Sequence, residues 1–259
     1  MKTTNPIGLF DSGIGGTSIW KEVHALLPYE NTIYLADSKN APYGAKPVDE
    51  IIALSCKNTE FLLNNNCKLI VVACNTATTN AIKELRRKYD VPFIGIEPAI
   101  KPAALQSKTQ RIGILATKGT LNSELFHKSV ENHRDVKIIE QIGHGLVQLI
   151  ENGAINSLEM KELLERYLQP MIKENIDYLV LGCSHYPYLI PQIKKIIPAN
   201  IKIIDSGEAV AKQTKKVLAD NNMLNASKTK GTQLFYTNSN PEVLENILDH
   251  KEKVTFKDF

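Results

Sequence analysis

Short apolar runs rich in Val, Ile and Leu alternate along this chain with stretches in which apolar residues recur every three or four positions. The runs at 7–10, 32–36, 69–73 and 92–96 predict strands in the first half. Those at 111–116, 136–139, 178–182 and 201–204 predict strands in the second. They are nearly continuous in apolar character, as parallel strands are when helices cover both faces. Between them Val48, Ile51, Ile52, Cys56, Thr59, Leu62 and Leu63 keep the spacing of an amphipathic helix. Ala81, Ile82, Leu85 and Tyr89 do the same, as do Leu163, Leu164, Tyr167, Leu168 and Met171. This alternation predicts βαβ units, hence an α/β fold with mostly parallel sheets.

The second half repeats the first. Ile7-Gly8-Leu9-Phe10 corresponds to Ile112-Gly113-Ile114-Leu115, an offset of 105 residues. Val71-Val72-Ala73-Cys74-Asn75-Thr76 corresponds to Val180-Leu181-Gly182-Cys183-Ser184-His185, an offset of 109. Near-constant spacing over several elements points to a duplicated unit, so two pseudo-symmetric doubly wound domains are expected. After Asp205-Ser206-Gly207 a helix through Val210, Thr214, Val217 and Leu218 leads to a polar stretch. Two more candidate strands follow, 233–237 and 253–256, flanking a helix opened by Asn240-Pro241-Glu242. Spacing alone does not say which sheet they join.

The formal charge of +3, with no long run of Lys and Arg, argues against a nucleic-acid partner. No apolar run approaches the roughly 18 residues of a membrane span, and no secretory leader is recognisable. A cytoplasmic protein with no membrane association is expected. Four cysteines in 259 residues do not make a disulfide framework, which leaves free thiols.

In open parallel sheets ligands bind at the carboxyl ends of the strands. The unusual residues gather there: Asp11-Ser12-Gly13-Ile14-Gly15-Gly16-Thr17, then Asp37 and Pro42-Tyr43-Gly44, then Cys74-Asn75-Thr76 and Cys183-Ser184-His185. The glycine-rich turn lacks the Gly-Lys-Ser/Thr of a phosphate loop, and Asp11 fits a dinucleotide pyrophosphate poorly. It reads either as a structural turn or as a small-anion site. Cys74 and Cys183 hold equivalent repeat positions, a coincidence that core packing does not require, whereas Cys56 and Cys67 lack such a context and read as structural. No C-x-x-C pair supports a zinc or dithiol site, so no metal is expected. Two thiols facing one cleft between the domains suit proton removal and return on opposite faces of a stereocentre. Asp11 and His185 are their plausible tuning groups.

With these motifs assembled, the chain resembles the aspartate/glutamate racemase family. The likeness runs from about Ile7 to Asp205 and is carried by Asp11-Ser12-Gly13-Ile14-Gly15-Gly16, Ala41-Pro42-Tyr43-Gly44, Ala73-Cys74-Asn75-Thr76-Ala77 and Leu181-Gly182-Cys183-Ser184-His185-Tyr186-Pro187. The first of these favours the glutamate enzymes over the aspartate ones. The resemblance implies cofactor-independent interconversion of L- and D-glutamate, supplying D-glutamate for peptidoglycan, by a homodimer. It implies Cys74 and Cys183 as the acid/base pair, Asp11 supporting Cys74, His185 supporting Cys183, and Glu151 as a further acidic helper. Substrate would be held by Asp11, Ser12, Tyr43, Gly44, Asn75, Thr76, Ser184 and His185. It also implies that the chain returns after residue 207, giving a first domain of 1–98 with 208–259 and a second of 99–207. Two departures stand out: Ser184 replaces the family's Thr, and Gly143-His144-Gly145 replaces its Cys-Pro before Glu151. The competing readings are a racemase of another small amino acid, such as aspartate, and a non-catalytic amino-acid-binding protein of the same fold.

Overall fold

Each of the ten expected strands forms, and every pairing between them is parallel. The structure is a computed structural model describing residues 2–259. In chain order the elements are β1 (Ile7–Asp11), α1 (Thr17–Leu26), β2 (Thr32–Ala36), α2 (Val48–Asn64), β3 (Leu69–Val72), α3 (Asn75–Lys88), β4 (Phe93–Gly95) and α4 (Ile100–Gln106). The second half continues with β5 (Arg111–Ala116), α5 (Lys118–Leu121), α6 (Glu124–Glu131), β6 (Lys137–Ile142), α7 (Leu146–Glu151), α8 (Leu158–Lys173), β7 (Tyr178–Gly182), α9 (Ile190–Ile193) and β8 (Lys202–Ile204). Then come α10 (Gly207–Asp220), β9 (Gln233–Thr237), α11 (Pro241–Ile247) and β10 (Val254–Phe256).

The sheet orders are β10-β9-β2-β1-β3-β4 and β6-β5-β7-β8. Within the first, β2-β1-β3-β4 reproduces the whole of the second, so the sequence repeat is also a topological one. The tail after residue 207 joins the first sheet through β9, which pairs with β2 from Thr32↔Gln233 to Ala36↔Thr237. Two of the boundaries that differ from the hydrophobic pattern have a local cause. Strand β6 runs three residues past Ile139 because it is a half-exposed edge, where an exposed Glu140 and a half-buried Gln141 do not end the ladder. Helix α3 begins at Asn75, well before the apolar spacing starts, because its first turn lines a cleft and not a core.

The two halves share one apolar cluster, with Leu9 and Ala36 of the first packed into the same core as Leu115, Leu146 and Leu181 of the second. That shared core holds the carboxyl ends of the two sheets against each other. The repeat breaks where this matters. After β3 the chain enters a fourteen-residue helix, whereas after β7 it makes a 3-10 turn (Tyr186–Leu189) and the four-residue α9. Pro187 and Pro191, which lack backbone donors, keep that segment from becoming a long helix.

Candidate active site

Cys74 caps α3: its Sγ accepts the Ala77 N–H at 3.4 Å, and the helix N-terminus turns its free amides toward the cleft. Cys183 follows β7 in the equivalent place. Both thiols are buried, at 4% and 5% exposure, and both line one small, tight cavity between the sheets. Around them the wall is made by Ser12, Tyr43, Gly44, Asn75, Thr76, Ser184 and His185, all expected from the sequence. Pro42, from the same motif as Tyr43 and Gly44, completes it with Thr117 and Val147, and the last two were not expected. Thr117 could have been found, because an offset of 105 makes it the repeat counterpart of Ser12. Its Oγ1 lies 2.8 Å from that of Thr76, so two hydroxyls meet across the cleft.

A chain of polar contacts leads away from each thiol and ends on a carboxylate. On one side Cys74 Sγ donates to Ser12 Oγ at 3.7 Å, and Ser12 Oγ donates to Asp11 Oδ1 at 3.4 Å. Asp11 therefore reaches Cys74 through Ser12, one layer behind the cavity wall. It also accepts the Gly13 N–H at 2.8 Å and, across the cleft, the Ser184 hydroxyl at 2.7 Å. On the other side Cys183 Sγ lies 3.8 Å from His185 Nδ1, and His185 Nε2 lies 2.5 Å from Glu151 Oε1. Gly15 N–H also points at Nε2, at 3.3 Å. One ring nitrogen cannot accept that proton while donating to Glu151, and the shorter contact decides, so Nε2 carries its hydrogen toward Glu151.

The glycine-rich turn is shaped by these groups. A side chain at Gly13 would run into the Glu151 carboxylate, and one at Gly15 into the His185 ring. The turn's amides at Gly13 and Ile14 donate to Asp11 and Glu151, so the protein's own carboxylates take the anion-binding role considered for it.

Charge makes the two sides unlike. Burial, reinforced by the Asp11 charge, pushes the Cys74 thiol well up, outweighing the Ala77 amide, so Cys74 keeps its proton at neutral pH. For His185 burial opposes a charged ring. Its hydrogen bonds with Cys183 and Glu151 and the charges of Asp11 and Glu151 prevail, and its proton affinity is raised well above the ordinary value. A doubly protonated ring would present an N–H to Cys183, the partner a thiolate needs.

Burial also raises Asp11 from its ordinary 3.8 to about 6, against the lowering effects of His185 and the Ser184 hydroxyl. Folded Asp11 thus binds its proton more tightly than in the unfolded chain. Its contribution to stability is complete below the unfolded value and is lost as pH rises through the folded one. Relative to Asp11→Asn, the wild type should lose up to about 3 kcal/mol of unfolding free energy between pH 4 and pH 7. Urea titrations of both proteins across that range check this; parallel pH profiles would refute it.

Asn75 is 2% exposed, yet neither its amide oxygen nor its amide nitrogen has a protein partner. Buried amides are nearly always satisfied, so an unpartnered one on a cavity wall is a group kept free for a ligand. Among the described residues no cluster of three or more His, Cys, Asp or Glu is arranged to hold a metal ion.

The family model for Asp/Glu/Hydantoin racemase matches residues 17–214. A glutamate racemase of Herpetosiphon aurantiacus is 43% identical over 237 residues, spanning 91% of this chain and 93% of that protein. Among solved structures, glutamate racemase isoform RacE1 of Bacillus anthracis superposes with a TM-score of 0.88 at 30% identity, covering 98% of this chain and 97% of that one. The Escherichia coli glutamate racemase, solved in complex with L-glutamate and the activator UDP-MurNAc-Ala, matches at a TM-score of 0.86 and 31% identity over 97% of each chain.

Proposed function

Because the chain belongs to the Asp/Glu/Hydantoin racemase family, we infer that it interconverts L- and D-glutamate without a cofactor, Cys74 and Cys183 exchanging the α-proton from opposite faces. The reading rests above all on one observation: the two repeat-related thiols line the same cavity, each backed by its own hydrogen-bonded carboxylate.

In each turnover one sulfur takes the α-proton as a thiolate while the opposite thiol delivers one to the other face. His185 holds the proton that leaves Cys183 when that residue acts as thiolate, and Glu151 balances the resulting ring charge. Ser12 and Asp11 serve Cys74 in the same way, through a hydroxyl and not a ring. The α-proton is far less acidic than a thiol, so the carbanion-like transition state needs dipoles already aimed at the developing charge. The free Asn75 amide and the first amides of α3 are placed for this work. Thr76, Thr117 and the backbone at Tyr43 and Gly44 hold the substrate; the Tyr43 hydroxyl is engaged by Asp37 behind the wall.

Incubation with each enantiomer of glutamate and of aspartate in deuterated water tests this. Both enantiomers of glutamate should lose optical activity and gain α-deuterium. Turnover of aspartate instead would move the activity to another acid, and binding with neither change would make the protein a non-catalytic receptor. The D-glutamate formed is the form required for peptidoglycan, and we assign the chain to that supply, in the cytoplasm and as a homodimer. No helix among the described residues is long and apolar enough to cross a membrane, which accords with that location.

A further inference from the structure

Glu151 belongs to α7 in the second half, but most of what holds its carboxylate comes from the first. Ile14 N–H donates to Oε1 at 2.7 Å, the Ser38 hydroxyl donates to Oε2 at 2.9 Å, and Gly13 provides the space between. The third partner, His185, comes from its own half. Ser38 opens a one-turn 3-10 segment (Ser38–Asn40) whose position is fixed from below. Asp37 accepts hydrogen bonds from Asn40 at 2.7 Å, from Asn238 at 2.5 Å and from the Tyr43 hydroxyl. Asn238 in turn accepts the Lys39 N–H at 2.9 Å. The serine is therefore presented by a rigid wall that includes the segment after β9.

We propose that Ser38 is a positioning residue for the reaction: with the Ile14 amide it forms a socket that receives Glu151 from across the cleft and aims Oε1 at His185. This rests on the reading of His185 and Glu151 as the support of Cys183. Ser38 is absent from the cavity wall, so it acts on turnover and not on substrate affinity. The socket also makes the Glu151–His185 pair depend on the approach of the two sheets.

The test compares Ser38→Ala, Ser38→Thr, Glu151→Gln and the Ser38→Ala/Glu151→Gln double variant, with melting temperatures measured on each. Ser38→Ala should lower kcat for glutamate about ten-fold, the value of one hydrogen bond to a charged group, with KM changed less than about two-fold. Ser38→Thr, which keeps the hydroxyl, should restore most of the loss. A less firmly held Glu151 raises His185 less, so the alkaline limb of the pH profile should move to lower pH in Ser38→Ala. In the Glu151→Gln background the same change should cost less than about two-fold, because its route of action is already gone. A full ten-fold loss in that background, or an unchanged rate and pH profile in Ser38→Ala, would overturn the proposal while leaving the racemase reading intact. Absence of glutamate racemisation by the wild type would overturn both.

Discussion

Replacing Cys74 or Cys183 with alanine should cut glutamate racemisation by roughly 10³-fold, the usual contribution of a positioned acid or base. The two variants should not behave as simple knockouts. A site with one thiol left can still abstract the α-proton from the face that thiol meets, and return solvent hydrogen to the same face. Each variant should therefore exchange the α-hydrogen of one enantiomer, with Cys74→Ala and Cys183→Ala acting on opposite ones. Proton NMR in deuterated water, run on each enantiomer, reads this directly. Retention of more than a tenth of wild-type racemisation in either variant would sink the two-thiol mechanism. L- and D-glutamate are equal in free energy in water, so any variant must lose kcat/KM equally in both directions. Unequal losses would mark a faulty assay.

Gly15→Ala is expected to lower kcat by about 100-fold, because a misplacement of about 1 Å in a catalytic group is enough for that. A Cβ at this position would overlap the His185 ring, which is 1% exposed. The ring must shift away from Cys183 or Glu151. The fold should survive, since overpacking of this kind costs about 1–3 kcal/mol. Gly13→Ala is the informative comparison. Its Cβ meets the end of the Glu151 side chain, which can swing aside, so its loss should be smaller. Steady-state kinetics with thermal melts separate the two effects. A fully active Gly15→Ala protein would show that His185 need not stand where it does.

Much of this was legible in the sequence because buried parallel strands write themselves as apolar runs, and a repeat advertises equivalent positions. Cys74, Cys183, Asp11 and His185 stood out because each ends a strand next to other polar residues. What the chain did not declare was contact made across the cleft. Ser38 sits in an ordinary polar turn, and nothing local marks it as a partner of a glutamate 113 positions away. Thr117 is a lone threonine whose significance appears only through its repeat partner Ser12. Glu151 was placed by resemblance alone, since the residues before it, Gly143-His144-Gly145, depart from the family pattern. Its side chain lies against His185 with 12% exposure. The tail's place was equally hidden, because strand order is a long-range property that local periodicity does not encode.

That tail has a consequence for how the protein is made. Strand β2 bonds on one side to β1, only some 25 residues away, but on the other to β9, with Thr32 opposite Gln233. During synthesis the first half can assemble β2-β1-β3-β4 early, while the outer edge of β2 waits for nearly the whole remainder of the chain. An unpaired strand edge is a template for wrong partners. The charged and polar stretch at 225–232 delivers β9 to that edge last. Pairing at such separation is slow to find, and the nascent chain is most vulnerable to aggregation in that interval. Asn238, which fixes the wall behind Ser38, arrives with the same strand. The catalytic cleft is thus among the last parts of the molecule to be finished, and a ribosome-bound fragment ending before residue 233 would carry both thiols without a completed site.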